Sequence, residues 1–509
     1  MEFLMRFISK RTPNFQKMFA HRIKAANGLF LLSQKIVSVK IRLFRSGAHF
    51  FSCLLLISYF FFLIVPDGKY DPTTLVFPSF LHTYGVRKAT AKHLFLYMQN
   101  RVKVRDPQGI AATRLDVWDN PKETKDDDEI TVYGVNSGQD VVIYNTSMTG
   151  IAVYGLYERG ERRLNRPHGI AAHRTGDVYL ADTGNNRVVH FFNPNRELKW
   201  VGELAGLSAP RDVAISADRT VFVADTGNNR VLVFRDDKLI QVWEAPGKFS
   251  SPAGIAATDS AEQWSYYKDN FVVVADRDGQ RLQKFTREGR LLKTLTATEI
   301  GKPNAKFMYL AIDYYSNIFV TDFNNHCIHK FDHDLNYLTS YGRPGNGDKE
   351  FLEPRGIAIY KRFGQVLVDD RESAQYYWMG TDVFNLRAAK YPNPALLQVD
   401  YFLTETSYVT LEILDTNGNV MAKPMDNTLR FSGAQQELLG GKWEPAPRLS
   451  FYSSEEKSGM DNQRRYDSTT LQKLPPVAAG KYVLRLTISA TYSSYKYFAK
   501  TVELPFSIS

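Results

Sequence analysis

The sequence predicts an all-β protein: a six-bladed β-propeller followed by a β-sandwich, with one N-terminal transmembrane helix. Three observations carry this expectation. The stretch Ala181-Asp182-Thr183-Gly184-Asn185-Asn186-Arg187-Val188 is written again, residue for residue, as Ala224-Asp225-Thr226-Gly227-Asn228-Asn229-Arg230-Val231. A Pro-x-(Gly/Asp)-(Ile/Val)-Ala element precedes both copies and recurs along the middle of the chain. Near the N-terminus, residues 47–65 contain no Asp, Glu, Lys or Arg.

Taken in order, residues 1–46 form a basic segment, with ten Lys and Arg side chains against Glu2 alone. This leader accounts for nearly all of the net charge of +10, and the remaining chain is close to neutral. A nucleic-acid partner is therefore not expected, because the folded part lacks the basic footprint that such binding needs. The apolar run that follows is just long enough to cross a hydrocarbon core of about 30 Å as a helix. A signal-anchor helix is placed at 47–66, with the N-terminus cytoplasmic and the later domains extracytoplasmic, periplasmic or at the cell surface. No small-x-small cleavage site closes the run, so the anchor is expected to be retained. Cys53 and Cys327 are the two cysteines, and with Cys53 inside the apolar run no intrachain disulfide is expected.

Residues 67–104 read as a linker, with residues 93–105 expected to supply a strand that closes the ring. The propeller follows at 105–391. Its entrances begin at Pro107, Pro167, Pro210, Pro252 and Pro354, and a degenerate copy at Phe307 fills the gap, which makes six units. After each entrance come short apolar runs separated by Gly, Asn and Asp turns, about four strands per unit. Helical repeats are excluded because a 3.6-residue period is missing.

The Pro-x-Gly-Ile-Ala entrance, the Ala-Asp-Thr-Gly-Asn-Asn-Arg-Val core and the segment from Gly342 to Phe351 together resemble NHL repeats, which are blades of a six-bladed propeller. Three units depart from the pattern. The first lacks the Asp and Arg in Val135-Asn136-Ser137-Gly138-Gln139-Asp140; the fifth keeps Asp322 but has Cys327 in place of Arg; the sixth keeps Asp370 but has Gln375. From residue 392 to 509 the pattern changes. The runs 396–403, 409–414, 481–489 and 497–508, with a hairpin turn at 415–418, resemble an immunoglobulin-like β-sandwich, and 440–476 reads as a long loop.

Parity places the entrances and the Asp-to-Arg turns at one end of the ring. The pairs Asp182 and Arg187, Asp225 and Arg230, and Asp276 and Arg281 repeat from unit to unit and are expected to lock their hairpins. Gly184 and Gly227 are expected to supply positive φ in those turns. The entrance residue that varies is the informative one: Gln108, His168, Arg211, Ala253, Met308 and Arg355. These should rim the axial channel, and Gln108, His168, Arg211 and Arg355 are the candidate ligand-binding residues. Their arginines suit a small anionic or carbohydrate ligand; a protein is the other partner considered.

Some enzymes resemble this repeat. Peptidyl-amidoglycolate lyases gather entrance-type histidines from three blades around a metal, and lactonase-like propellers hold calcium with Glu, Asn and Asp. Here His168 is the single entrance histidine and no entrance is acidic, so neither carry-over is complete. His326, Cys327, His329 and His333 form the other metal-capable cluster; Cys327 and His329 should share a strand face with His326 opposite. No cofactor, metal or catalytic residue is assigned, and no Gly-x-Ser-x-Gly elbow, phosphate loop or CxxC pair occurs. The expected function is that of a membrane-anchored binding or protein-interaction module, with a lyase- or lactonase-type enzyme as the alternative.

Overall fold

The apolar runs fold as strands, and their order in space follows their order in the chain. The structure is a computed structural model that describes residues 72–78, 87–98, 100–118, 130–147, 150–244, 248–391, 395–447, 466 and 471–509. The basic segment and the helix expected at 47–66 lie outside these residues. No helix among the described residues is long and apolar enough to cross a membrane.

Five sheets each take four antiparallel strands in succession. The first comprises Pro107–Thr113, Thr131–Asn136, Val141–Asn145 and Ile151–Tyr154, and the second Ile170–Ala172, Asp177–Asp182, Arg187–Phe192 and Lys199–Leu204. The third runs Asp212–Ile215, Val221–Asp225, Arg230–Arg235 and Lys238–Trp243, and the fourth Gly254–Thr258, Phe271–Asp276, Arg281–Phe285 and Leu291–Thr296. The fifth holds Phe307–Ile312, Ile318–Asp322, Cys327–Phe331 and Tyr337–Tyr341. A sixth sheet contributes Ile357–Tyr360, Gln365–Asp369 and Ser373–Met379. The leading strands of these sheets neighbour one another in cyclic order, the sixth returning to the first.

Burial explains the sequence pattern. Second strands are covered on both faces, so Asp177–Asp182 and Phe271–Asp276 are buried at every position. Fourth strands face water on one side, and Lys199–Leu204 alternates accordingly. In four sheets the register slips between the third and fourth strands, at Trp200/Gly202, Val233/Phe234, Lys284/Phe285 and Lys330/Phe331. Such bulges increase twist at the outer edge.

The outer edge of the sixth sheet is supplied from the N-terminal side. Leu75–Val76 and Lys88–Thr90 both pair with Ser373–Met379. Residues 93–105, where a closing strand was expected, instead begin in the α-helix Ala91–Met98. The closing pieces lie just upstream of it.

Two further sheets follow. Val383–Tyr391, Leu396–Leu403 and Gly433–Leu439 form one; Val420–Arg430, Ser407–Leu414, Gly480–Ala490 and Lys500–Ile508 form the other. Leu397, Val399 and Tyr401 from the first share a core with Leu411, Ile413, Leu484 and Leu486 from the second. Because Val383–Tyr391 pairs with Leu396–Leu403, these sheets begin ahead of the boundary expected at 392. Ala490 and Tyr492 pack into the same core as Tyr377 and Met379 of the sixth sheet. Most of the loop expected at 440–476 lies outside the described residues.

Candidate functional site

The repeated turn is built to hold neighbouring sheets together. Asp182 is fully buried; its Oδ2 accepts from Arg187 Nε at 2.9 Å and its Oδ1 from the Asn165 backbone N–H at 2.7 Å. Asp225 repeats this with Arg230 Nε at 2.7 Å and the Ser208 N–H at 2.7 Å, and Asp276 pairs with Arg281 and the Ser250 N–H. The turn threonines reach onward: Thr183 Oγ1 donates to Pro210 O, and Thr226 Oγ1 to Pro252 O, each at 2.6 Å. Each turn therefore clasps the entrance of the next sheet.

The glycines of these turns act differently from expectation. Positive φ falls on Asn186 (56°) and Asn229 (53°), residues whose short polar side chains tolerate the left-handed region. Gly184 is required by close approach, since a Cβ there would lie 2.7 Å from Asn165 O. Replacing Asp225 with Ala should cost about 3 kcal/mol, because it orphans a backbone N–H and a largely covered guanidinium together. Urea unfolding of the variant against Thr226→Ser, which keeps the hydroxyl, measures it.

At the entrance end, the structure brings Gln108, His168 and Arg355 together as buried groups. Arg355 was expected to face a ligand. Its Nη1 donates instead to Asp106 and, at 2.8 Å, to Pro107 O, its Nη2 lies 3.5 Å from Glu353, and its guanidinium covers the Phe323 ring. Gln108 is held between Asp106 (3.1 Å) and the Tyr309 hydroxyl (3.2 Å). His168 Nδ1 sits 2.9 Å from Arg166 O. Burial, then the nearby Arg211 guanidinium, push the His168 imidazole down to about 4, so it is neutral at neutral pH.

Arg211 differs from its neighbours. It is half-buried, and its guanidinium makes no hydrogen bond or ion pair among the described residues. The adjacent Asp212 offers no compensation: burial pushes its carboxyl up to about 8, while its two oxygens accept from the Val213 and Ile255 N–H groups at 2.9 Å. Ala253 is half-buried, and Met308 is buried.

The opposite end of the axis holds a cavity of about 280 Å³, lined by all six leading strands and by residues 261–264. Arg174 Nη1 donates to Gln263 Oε1 at 3.0 Å while its Nε pairs with Asp116, and Lys361 Nζ meets Glu262 Oε2 at 3.0 Å. Arg174 and Lys361 are thus each paired with an acidic side chain of the protein. Sequence reading missed this end; the signal was the twelve-residue connection 259–270, far longer than the four residues 173–176 at the same place in the second sheet.

The expected cluster of His326, Cys327, His329 and His333 separates. His326 Nδ1 accepts from the Glu353 N–H at 2.9 Å, and His333 stacks on Tyr267. Cys327 and His329 stay together and are joined by Asp322, all three buried. Burial pushes the Cys327 thiol up to about 12.

Residues 164–191 and 207–234 match the NHL repeat model. Over 122 residues the chain is 28% identical to protein brain tumor of Drosophila melanogaster, covering 22% of this chain and 12% of that protein. The chain thus spans a small part of that relative's length. A virginiamycin B lyase from Staphylococcus aureus is similar at 15% identity, over 48% of this chain and 76% of that one, with a TM-score of 0.37. A gluconolactonase from Xanthomonas campestris is similar at 12% identity, over 60% and 98%, with a TM-score of 0.38. The chain carries NHL repeats on an all-β, propeller-type fold.

Proposed function

We propose that this protein is a membrane-anchored binding module: a six-bladed NHL-type propeller with a C-terminal immunoglobulin-like β-sandwich, held outside the cytoplasm by a helix at 47–66. The cyclic order of six leading strands supports the blade count, and the shared core of the last two sheets supports the sandwich. The apolar run and the upstream positive charge support the anchor and its orientation. The likeness to NHL repeats fits a binding role for the propeller.

The observation that carries the ligand assignment is Arg211, a half-buried guanidinium at the channel entrance without a carboxylate partner among the described residues. Beside it the neutral His168 imidazole spends its Nδ1–H on Arg166 O and the Tyr309 hydroxyl donates to Gln108 Oε1, so the Arg211 guanidinium is the donor that a bound oxyanion would meet. A carboxylated or phosphorylated small molecule, including an acidic sugar, suits this end. Arg355, already paired, supports the rim.

The test uses sealed right-side-out vesicles carrying the full chain, titrated from outside with membrane-impermeant acidic sugars. Binding is expected from outside and should weaken about tenfold or more in Arg211→Ala, a loss of about 1.4 kcal/mol. Equal affinity in the variant, or no binding, would remove Arg211 from the site. Binding that appears only after the vesicles are opened would reverse the orientation and leave the site standing.

A further inference from the structure

We propose that Asp322, Cys327 and His329 of the fifth sheet form a buried zinc-binding site, one that stands apart from the axial channel. The pairing Asp322↔Cys327 occupies the register held by Asp182↔Arg187, Asp225↔Arg230 and Asp276↔Arg281 in three other sheets. Where those put a guanidinium against the buried carboxylate, the fifth sheet puts a thiol, a weak donor. His329, two residues on and on the same strand face, turns its Nε2 back to the place the guanidinium would fill.

The result is one sulfur, one nitrogen and one oxygen donor facing each other. His329 Nε2 lies 2.9 Å from Asp322 Oδ2 and 3.8 Å from Cys327 Sγ, and the three donor atoms all fall within 4.8 Å of one another. A tetrahedral zinc ion with its usual bond lengths places sulfur and nitrogen ligands about 3.5 Å apart, and nitrogen and oxygen about 3.4 Å apart. The sulfur–nitrogen separation is thus near the required one, the nitrogen–oxygen separation has to open by about half an ångström, and the sulfur–oxygen separation, bounded at 4.8 Å, has to settle at about 3.6 Å, which turns of the Cys327 and Asp322 side chains would supply. Exposure is 0%, 5% and 0% for Asp322, Cys327 and His329, so water competes poorly for the donors.

The surroundings are those of a ligand set. His329 Nδ1 is 2.7 Å from Ser340 Oγ, which is itself bonded to the Tyr337 hydroxyl at 2.6 Å. In the tautomer that donates Nδ1–H to Ser340, the Nε2 lone pair faces the carboxylate and the sulfur and is available to a cation; with the proton on Nε2 the same contact is a hydrogen bond to Asp322. Asp322 is oriented by the Lys306 and Asn324 N–H groups at 2.9 and 3.1 Å, and by Asn325 Nδ2 at 2.6 Å. Binding would release the thiol proton to solvent, and carboxylate plus thiolate would then neutralise the divalent charge. Zinc is favoured over calcium or magnesium because those ions take oxygen donors. One coordination place remains for water or a further donor.

The test is metal loading of the full chain in a Cys53→Ser background, so that Cys327 is the single thiol. After Co²⁺ loading and gel filtration, the protein should retain one equivalent and show a near-ultraviolet thiolate-to-cobalt charge-transfer band; excess Zn²⁺ should displace it. Cys327→Arg restores the residue of the other repeats and should fold, yet lose both the equivalent and the band. Cys327→Ser serves if that variant does not fold, and should lose the band. Cobalt retained without a thiolate band, equal metal content in the Cys327 variants, or no retained metal would overturn the proposal and leave the His329 to Asp322 contact as a hydrogen-bonded lock.

Discussion

Removing residues 72–90 should abolish cooperative folding, whereas a chain that begins at 72 should fold. These residues hold the outer edge of the sixth sheet. Five residue pairs form its ladder: Leu75↔Met379, Val76↔Trp378, Lys88↔Gln375, Ala89↔Ala374 and Thr90↔Ser373. Thr73 adds a bond from its N–H to Asp382 at 3.1 Å and one from Oγ1 to Thr381 O at 2.7 Å. Leu75 is fully buried, and Phe77 stacks on Tyr377 at 4.8 Å while Arg87 covers its other side. Burying Leu75 alone stabilises by about 1.5–3 kcal/mol, and each net hydrogen bond by about 1 kcal/mol. Their sum rivals the roughly 5–15 kcal/mol that separates folded from unfolded domains. Loss is amplified because Ser373–Met379 is left as a bare outer edge on the sixth sheet. Calorimetry of chains beginning at 72 and at 91 reads the difference: one sharp transition is expected for the first and none for the second. A sharp transition of similar midpoint in both would show that the ring holds without this edge.

The same edge shows where sequence reading reached its limit. The repeats were legible because their turns use residues the same way: Asp holds the preceding loop, Arg or a substitute fills the hairpin, and in the second and third sheets Thr183 and Thr226 reach the next Pro. The closing strands were not, since Leu75–Val76 and Lys88–Thr90 span two and three residues, too few for a period to register. The stretch after them, AKHLFLYM, has apolar residues that serve either a strand or the helix it forms. At the candidate site, the entrance residues were found by their variation within a fixed frame, but their partners were not. Arg355 meets Asp106 across 249 residues of chain, a pairing that no local pattern carries. Asp322 was recognised as part of the repeat and His329 as a metal-capable residue; only the register of the strands put them in one place.

Replacing Lys330 with Met should destabilise the protein by about 3–5 kcal/mol, because it strips the cation from a buried cluster with two carboxyl groups. Lys330, Glu405 and Asp313 are each at most 1% exposed. Lys330 Nζ donates to Glu405, and Asn317 Nδ2 bridges Asp313 Oδ2 at 2.9 Å and Glu405 Oε1 at 3.3 Å. Asp313 and Lys330 belong to the fifth sheet region, while Glu405 lies between Leu396–Leu403 and Ser407–Leu414, so the cluster pins the C-terminal sheets in place. A single ammonium cannot compensate two carboxylates, and burial, with Asp313 adding to it, pushes Glu405 up to about 7 from its ordinary value of 4.5. A carboxyl raised on folding contributes stability that is complete below its unfolded value and is lost as pH rises through its folded value. Stability should therefore decline from about pH 5 to beyond pH 7, as the cluster gives up its shared proton. Glu405→Gln keeps the shape without the titration, so its stability should be flatter over that range. Urea midpoints of the parent, Lys330→Met and Glu405→Gln at a series of pH values decide the matter. A pH profile identical in the parent and Glu405→Gln would show that the proton resides elsewhere. A small effect of Lys330→Met would show that the two carboxyl groups are content without it. The double replacement Lys330→Met with Glu405→Leu should recover much of the loss, because apolar residues of similar volume remove the charge that the single variant strands.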